Sequence, residues 1–436
     1  MNSFYIDCLG CKVNSYEIEA IKDELLANNF IQAADFKDAD YIIINTCCVT
    51  NNAASKSRQK INSYHNGNLK AKIIVMGCYV QGFKDEVSKL EGVSLLIGTN
   101  NRKAIIEYMV HDLFDKQINL VEDIKSFTKY ESLAITSCFE NTRAYLKIQD
   151  GCNNFCSYCI IPYVRGIIKS RPCEEVIKEA KKLVSKGYKE IVLTGIHTGS
   201  YGKDLDGFTF SDLVEKLLEI DGLYRLRISS IEESEIDEKL INLLISNPKL
   251  AKHLHMPLQA GSDHVLKLMN RKYDLKTYIN KVEYIKSKVK DVAITTDIIV
   301  GFPQESDEDF ASTLKVSEQI GFMKIHVFPF SSRKGTVAAK MSGQIDGKIK
   351  KERTHQLLDL SNKLNYNYNS AYINKVEEVL VEEKVNGYYS GHTSNFLHVK
   401  FKSNKTIERN AIIKVKITKA FENEVEGVME EEYERK

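Results

Sequence analysis

Gly151-Cys152-Asn153-Asn154-Phe155-Cys156-Ser157-Tyr158-Cys159 comes two residues, Gln149 and Asp150, after a stretch, Ala144–Ile148, that reads as a β-strand. The C-x₃-C-x₂-C spacing can hold three irons of a cubane cluster, and no fourth cysteine follows at ferredoxin spacing. One iron is left open to a ligand from outside the protein. Zinc is the rival occupant, but it prefers four ligands, usually as two pairs, and the second pair is missing. An open cluster is suited to chemistry, whereas a closed one mainly stores electrons.

The strand before this triplet begins a repeating series. Strands are expected at Ala144–Ile148, Glu190–Thr194, Arg225–Ser229, His253–Pro257, Ala293–Ile299 and Lys324–Phe330, with helices near 173–186, 211–219, 263–270, 275–288 and 307–320. About six such units predict an incomplete (β/α)6 barrel with its functional residues at the carboxyl ends of the strands. Gly195 and His197, Ser229 and Glu232, His255, and Asp297 lie at or just past the carboxyl-terminal parts of successive strands there. A lone histidine such as His197, His255 or His326 is more often structural than catalytic. Arg165, Lys169 and Arg171 are candidates to meet phosphate or a cofactor carboxylate, with solvated surface the alternative for Lys169. No Ser-His-Asp set or carboxylate pair suggests polar two-electron catalysis.

The first 110 residues alternate Ile/Val-rich runs (Phe4–Asp7, Tyr41–Ile44, Lys72–Met76, Val93–Ile97) with helical patterns near 16–29, 52–65, 81–90 and 102–110. That alternation predicts a parallel sheet covered on both faces. Asn14 and Glu17 have the spacing of a capping box opening the first helix. Cys11, Cys47 and Cys78 each follow a strand, so a parallel sheet brings them to one edge as a second set of cluster ligands. Cys48 competes with Cys47 for iron. Cys8 is expected to be a buried strand thiol, and Cys138 and Cys173 structural or free thiols.

Beyond a charged helix near 348–370, leading away from the barrel, strands are expected at Val376–Glu383, Asn395–Phe401, Ile412–Ile417 and Val425–Met429, a small antiparallel β-barrel. Tyr388, Tyr389 and Phe396 with Lys400, Lys402 and Lys405 are candidates for stacking on bases and meeting phosphate, although the aromatics also suit a core. The acidic end Glu430–Glu434 opposes RNA. Residues 110–142 read as linker with a strand or two.

At 436 residues, with 43% hydrophobic and 28% charged content, the chain predicts two or three globular domains. A net charge of +2 leaves any nucleic-acid contact to local patches. Ten cysteines without a leader or a membrane-length apolar run point to metal ligation in the cytoplasm, not to disulfides.

The triplet and the residues after it resemble the radical S-adenosylmethionine superfamily. Gly10-Cys11-Lys12-Val13-Asn14, Asn45-Thr46-Cys47-Cys48 and Gly77-Cys78-Tyr79 look like the methylthiotransferase family within it, and the first of these with Lys56-Ser57-Arg58 resembles the branch acting on threonylcarbamoyladenosine in tRNA. The C-terminal stretch resembles the RNA-binding TRAM module. The resemblance implies three domains, at 1–115, 138–368 and 372–434, and two 4Fe-4S clusters held by Cys11, Cys47 and Cys78 and by Cys152, Cys156 and Cys159. It implies S-adenosylmethionine contacts at Gly195, Ser229, Glu232 and Asp297, and methylthiolation of carbon 2 of N6-threonylcarbamoyladenosine-37 by a radical route. tRNA is the implied partner, an external reductant such as flavodoxin or ferredoxin is required, and a monomer is expected. Isopentenyladenosine in tRNA, a ribosomal-protein aspartate, and a non-catalytic iron–sulfur RNA-binding or electron-transfer role are the alternatives.

Overall fold

The Ile/Val-rich runs of the first hundred residues build a six-stranded parallel sheet. The computed structural model describes residues 2–133, 135 and 142–430. The strands are β1 (Ser3–Cys8), β2 (Ile31–Gln32), β3 (Tyr41–Thr46), β4 (Lys72–Gly77), β5 (Val93–Leu96) and β6 (Ile118–Asn119), in the order β2-β1-β3-β4-β5-β6. Helices α1 (Lys12–Ala27), α2 (Asn51–Gly67), α3 (Cys78–Val87) and α4 (Ala104–Val110) cover both faces. Ile42, Ile44 and Val75 enter one apolar layer and Ile43 and Ile74 the other, as a period of two requires.

Asn14 and Glu17 do not form a capping box. Cys11 is the N-cap of α1 and makes no side-chain cap hydrogen bond, while Asn14 and Glu17 are buried within the helix. Their side chains are taken up by long-range partners described below, which outcompete the local cap.

The central strands are β7 (Arg143–Asp150), β8 (Lys169–Ser170), β9 (Glu190–Gly195), β10 (Arg225–Ile228), β11 (His253–His255), β12 (Ala293–Val300) and β13 (Lys324–Pro329). All but β8 run parallel in sequence order, and a bridge from Leu226 to Leu250 links the two halves. No pairing joins β7 to β13 among the described residues, so the barrel is open there, and β8 pairs antiparallel with β7 on that side. Its helices are α5 (Ile161–Arg165), α6 (Cys173–Ser185), α7 (Phe210–Leu218), α8 (Glu238–Ser246), α9 (Asp263–Leu268), α10 (Leu275–Lys288), α11 (Asp307–Ile320) and α12 (Gly347–Ser370). The last does not lead away from the barrel. Leu357 and Leu364 join the barrel core, and Asn365 donates to the Met323 carbonyl at 2.7 Å.

At the C-terminus β14 (Val376–Val385), β15 (Tyr388–His392), β16 (His398–Lys402), β17 (Ile412–Ala420) and β18 (Val425–Met429) form a closed barrel, in the order β14-β15-β16-β18-β17. β15 is absent from the sequence expectation. Its Gly391 lies so close to β14 that a Cβ would sit 1.9 Å from the Leu380 carbonyl oxygen, so close strand approach takes the place of a strong strand-former. Closure uses one parallel pairing, β16 with β18, so the barrel is not antiparallel throughout.

This barrel docks on the amino ends of the central strands. Phe396 stacks on His253 at 4.7 Å and on His392 at 4.6 Å, with the Arg227 guanidinium 4.8 Å from its ring. Arg227 also donates to the Thr393 and Ser394 carbonyls. Phe396 is therefore an interface residue, and Tyr389, 2% exposed against Phe401, is core. Neither is a free stacking platform for RNA. Phe396→Ala is expected to lower the unfolding free energy by about 2 kcal/mol, from the summed stacking and cation–π losses. Faster proteolysis of the C-terminal barrel, with Phe396→Leu intermediate, is the measurement.

Candidate active site

Cys11 follows β1, Cys47 follows β3 and Cys78 opens α3 after β4, so all three lie at the carboxyl edge of the N-terminal sheet. Gly10, at φ +133°, permits their approach, since a Cβ there would lie 3.2 Å from the Cys47 Cβ. Cys11 is exposed and the other two are buried. Burial pushes the Cys47 thiol up, and Cys11 adds to the effect. Burial likewise pushes Cys78 up to about 12, with Arg165 opposing and Cys47 and Cys11 adding. Arg165 Nε donates to Cys78 Sγ at 3.2 Å, and Arg165 and Arg333 both oppose the upward shift of Cys47 without overcoming its burial. Such a set ionises only around further cationic charge, which suits iron with bridging sulfide.

Cys48 turns away from this set. Its thiol donates to the Cys78 carbonyl at 3.3 Å, and its side chain is fully buried in the apolar layer with Val75 and Tyr79. Cys8 is half-buried, 3.9 Å from Ser15 Oγ. Cys173 starts α6 and packs against the barrel core. Cys138 lies outside the described residues.

The second set lies on the loop between β7 and α5. Gly151 at φ +74°, where a Cβ would meet the Ile167 carbonyl oxygen at 1.8 Å, and Phe155 at φ 47° fold Cys152, Cys156 and Cys159 into a tight turn. Burial, with Cys156 and Cys152 adding, pushes the Cys159 thiol up to about 12. Arg271 Nη1 donates to Cys156 Sγ at 3.2 Å, and Nη2 pairs with Glu232 at 2.7 Å. Asn154 donates to the same carboxylate at 3.2 Å. His197 Nδ1 lies 3.7 Å from Cys152 Sγ and Nε2 3.0 Å from Glu235. Burial opposes its protonation, but these two partners prevail and hold it at about 10. Cationic side chains thus face the thiols, and the donor set fits an iron–sulfur cluster.

Arg165, Lys169 and Arg171 are not available to phosphate. Arg165 is fully buried against Glu17 (2.5 Å), Asp150 (3.1 Å) and Asn14 (2.9 Å). Lys169 donates to the Arg165 carbonyl at 3.0 Å, and Arg171 pairs with Glu179 at 2.7 Å. Arg165 ends helix α5, which follows the Cys152–Cys159 loop, and touches Cys78, so the segment after the first cysteine loop reaches the second set. Arg271, Arg102 and Lys147 belong to no local motif, so the sequence alone does not mark them.

A cavity of about 660 Å³ occupies the central barrel. Cys11 and Lys12 line it from the N-terminal sheet, Gly195, Ser229 and Asp297 from strand ends, and Phe396 from the C-terminal barrel. Ser229 Oγ is 3.0 Å from Thr198 Oγ1. His255 Nε2 lies 3.2 Å from Asp297, and His326 brings a donor atom within 4.8 Å of both. Glu232 stands apart from this wall, at the cysteine loop. Among the expected RNA contacts, Lys400 is paired with Glu424 at 2.7 Å, and Lys402 lies 4.6 Å over the Tyr388 ring.

An open parallel barrel with a three-cysteine loop after its first strand defines a radical S-adenosylmethionine enzyme, and residues 146–316 match that superfamily. Residues 3–98 match a family described as uncharacterized, UPF0004. The chain is 43% identical to the threonylcarbamoyladenosine tRNA methylthiotransferase MtaB of Bacillus subtilis, over 94% of this chain and 93% of that one. It is 37% identical to the protein of that name from Thermotoga maritima, over 94% of each. It is 35% identical to a tRNA-2-methylthio-N(6)-dimethylallyladenosine synthase of Acetivibrio thermocellus, over 93% of this chain and 86% of the relative. Its fold resembles that of the radical S-adenosylmethionine methyltransferase TsrM of Kitasatospora setae, at a TM-score of 0.59 and 11% identity, over 75% and 73% of the two chains. The chain belongs to the radical S-adenosylmethionine methylthiotransferase family, enzymes of S-adenosylmethionine and 4Fe-4S clusters. No helix among the described residues is long and apolar enough to cross a membrane.

Proposed function

We propose that this enzyme converts N6-threonylcarbamoyladenosine at position 37 of tRNA to its 2-methylthio derivative. The observation that carries this reading is the shared cavity. Cys11, the strand-end residues Gly195, Ser229 and Asp297, and Phe396 face one space of about 660 Å³, large enough for a nucleoside. The names of the relatives at 43% and 37% identity support the threonylcarbamoyl substituent.

In this reading Cys152, Cys156 and Cys159 hold one cluster and Cys11, Cys47 and Cys78 the other. When bound, the clusters and S-adenosylmethionine supply a carbon-centred radical and a methylated sulfur, which an aromatic C–H with no acidic proton requires. The protein positions these reactants. Gly195, Ser229 and Asp297 border the cofactor and base, and Arg271 steadies Cys156 while Glu232 holds Arg271 in place. The chain acts as a monomer with an external flavodoxin- or ferredoxin-type reductant. Tyr388, Lys402 and the exposed Lys405 are the remaining candidates on the C-terminal barrel for contact with tRNA.

Mass spectrometry of tRNA nucleosides from a strain lacking the gene tests the substrate. Unmodified threonylcarbamoyladenosine is expected to replace its methylthio form. Persistence of that form with loss of methylthio-isopentenyladenosine would move the enzyme to the other tRNA substrate.

A further inference from the structure

We propose that Lys12 is the cationic end of an anion subsite that binds the carboxylate of the substrate's N6 substituent. This rests on the threonylcarbamoyladenosine reading, because that substituent ends in a free carboxylate whereas an isopentenyl group is a neutral hydrocarbon. Lys12 is the first residue of α1, next to Cys11, and lines the cavity with it. Its Nζ lies 5.9 Å from the Tyr145 ring, and among the described residues no carboxylate pairs with it.

The other cations in and around the cavity are committed. Lys147 has Glu17 and Asp150, Arg227 and Arg225 share Glu190, Arg143 has Glu382, and Lys324 reaches Asn423. On the acidic side, Glu190 is divided between two guanidiniums, Glu382 between Arg143 and His392, and Asp297 is engaged by His255. The wall therefore carries more positive than negative charge: among the described residues Lys324 is held only by the neutral amide of Asn423, and Lys12 has neither a counter-charge nor a hydrogen-bond acceptor. Like charges facing a partly desolvated space repel one another until an anion enters. A substrate carboxylate supplies that anion and forms a charge-assisted hydrogen bond with Lys12. Cys11 and Lys12 are adjacent, so the contact that selects the substituent lies beside a proposed cluster ligand.

The test uses anticodon stem-loops bearing threonylcarbamoyladenosine or its carboxamide analogue, which keeps the shape and loses the charge. Wild-type enzyme is expected to favour the carboxylate in kcat/KM by roughly ten- to a hundredfold. Lys12→Met should abolish that preference, mainly through KM, and Lys12→Arg should restore most of it; iron content checks that each variant is assembled. A wild-type enzyme indifferent to the two substrates overturns the subsite. So does a Lys12→Met enzyme that keeps the preference, or one that loses both substrates equally with no rescue by arginine. If the wild type acts on isopentenyladenosine and on neither test substrate, the substrate reading fails and the subsite with it. Activity on threonylcarbamoyladenosine without a role for Lys12 removes the subsite alone.

Discussion

Glu17→Ala is expected to destabilise the folded chain by about 3–5 kcal/mol, the cost of breaking a buried ion network by removing one partner. Glu17 is fully buried on α1 and accepts from Arg102 at 2.8 Å, Lys147 at 2.8 Å and Arg165 at 2.5 Å. Lys147 and Arg165 belong to the central barrel, so the carboxylate ties the N-terminal sheet to it. Without Glu17 the nearest carboxylates are Asp150, which serves Lys147 and Arg165, and Glu131 on Arg102. Urea unfolding should show a lower midpoint with a similar slope; an unchanged midpoint would mean that the network contributes nothing.

The same group predicts acid sensitivity. Burial alone would raise the Glu17 pKa, but Arg102, Arg165 and Lys147 overcome it and hold the carboxyl at about 2. The folded value lies below the ordinary carboxylate value, so its stabilisation is fully present above about pH 4.5 and is lost as pH falls towards 2. Asp150 is depressed in the same direction, against its own burial, by Lys147 and Arg165. Glu17→Gln should flatten the loss of stability over that acid interval relative to the parent.

Glu17 also marks where sequence reading stops. Asn14-x-x-Glu17 has the spacing of a capping box, and nothing local distinguishes a cap from a buried network. The deciding partners, Arg102, Lys147 and Arg165, lie 85, 130 and 148 residues away. The strands were legible because an Ile/Val-rich run such as Tyr41–Thr46 buries both faces whatever its neighbours do. The cysteine triplet was legible because its spacing is local. α8, absent from the sequence expectation, carries a local signal, with Asp237 capping it and Leu240, Ile241 and Leu244 on its buried face. Phe396 is undecided by sequence for the opposite reason: an aromatic loop residue with nearby lysines looks the same whether it meets a base or a neighbouring barrel.

Replacing Cys152, Cys156 and Cys159 together by alanine is expected to abolish cleavage of S-adenosylmethionine and remove about half the iron, from roughly eight per chain if both clusters are cubanes. The corresponding triple variant of Cys11, Cys47 and Cys78 should lose a similar amount of iron and all methylthio product, yet still release 5′-deoxyadenosine under dithionite. The separation follows from the scaffold. Cys152–Cys159 sit on the barrel loop with Arg271 and His197, and the other set sits on the edge of a different sheet. Arg165, on the helix after that loop, touches Cys78 and none of the three triplet cysteines among the contacts described, so the second variant should leave the first loop intact while relieving Arg165 of Cys78. Cys48→Ala provides the internal control, because its thiol is spent on the Cys78 carbonyl and should contribute no iron. Near-complete iron in the Cys11/Cys47/Cys78 variant would refute a second cluster. Methylthio transfer surviving in that variant would remove those cysteines from the sulfur route.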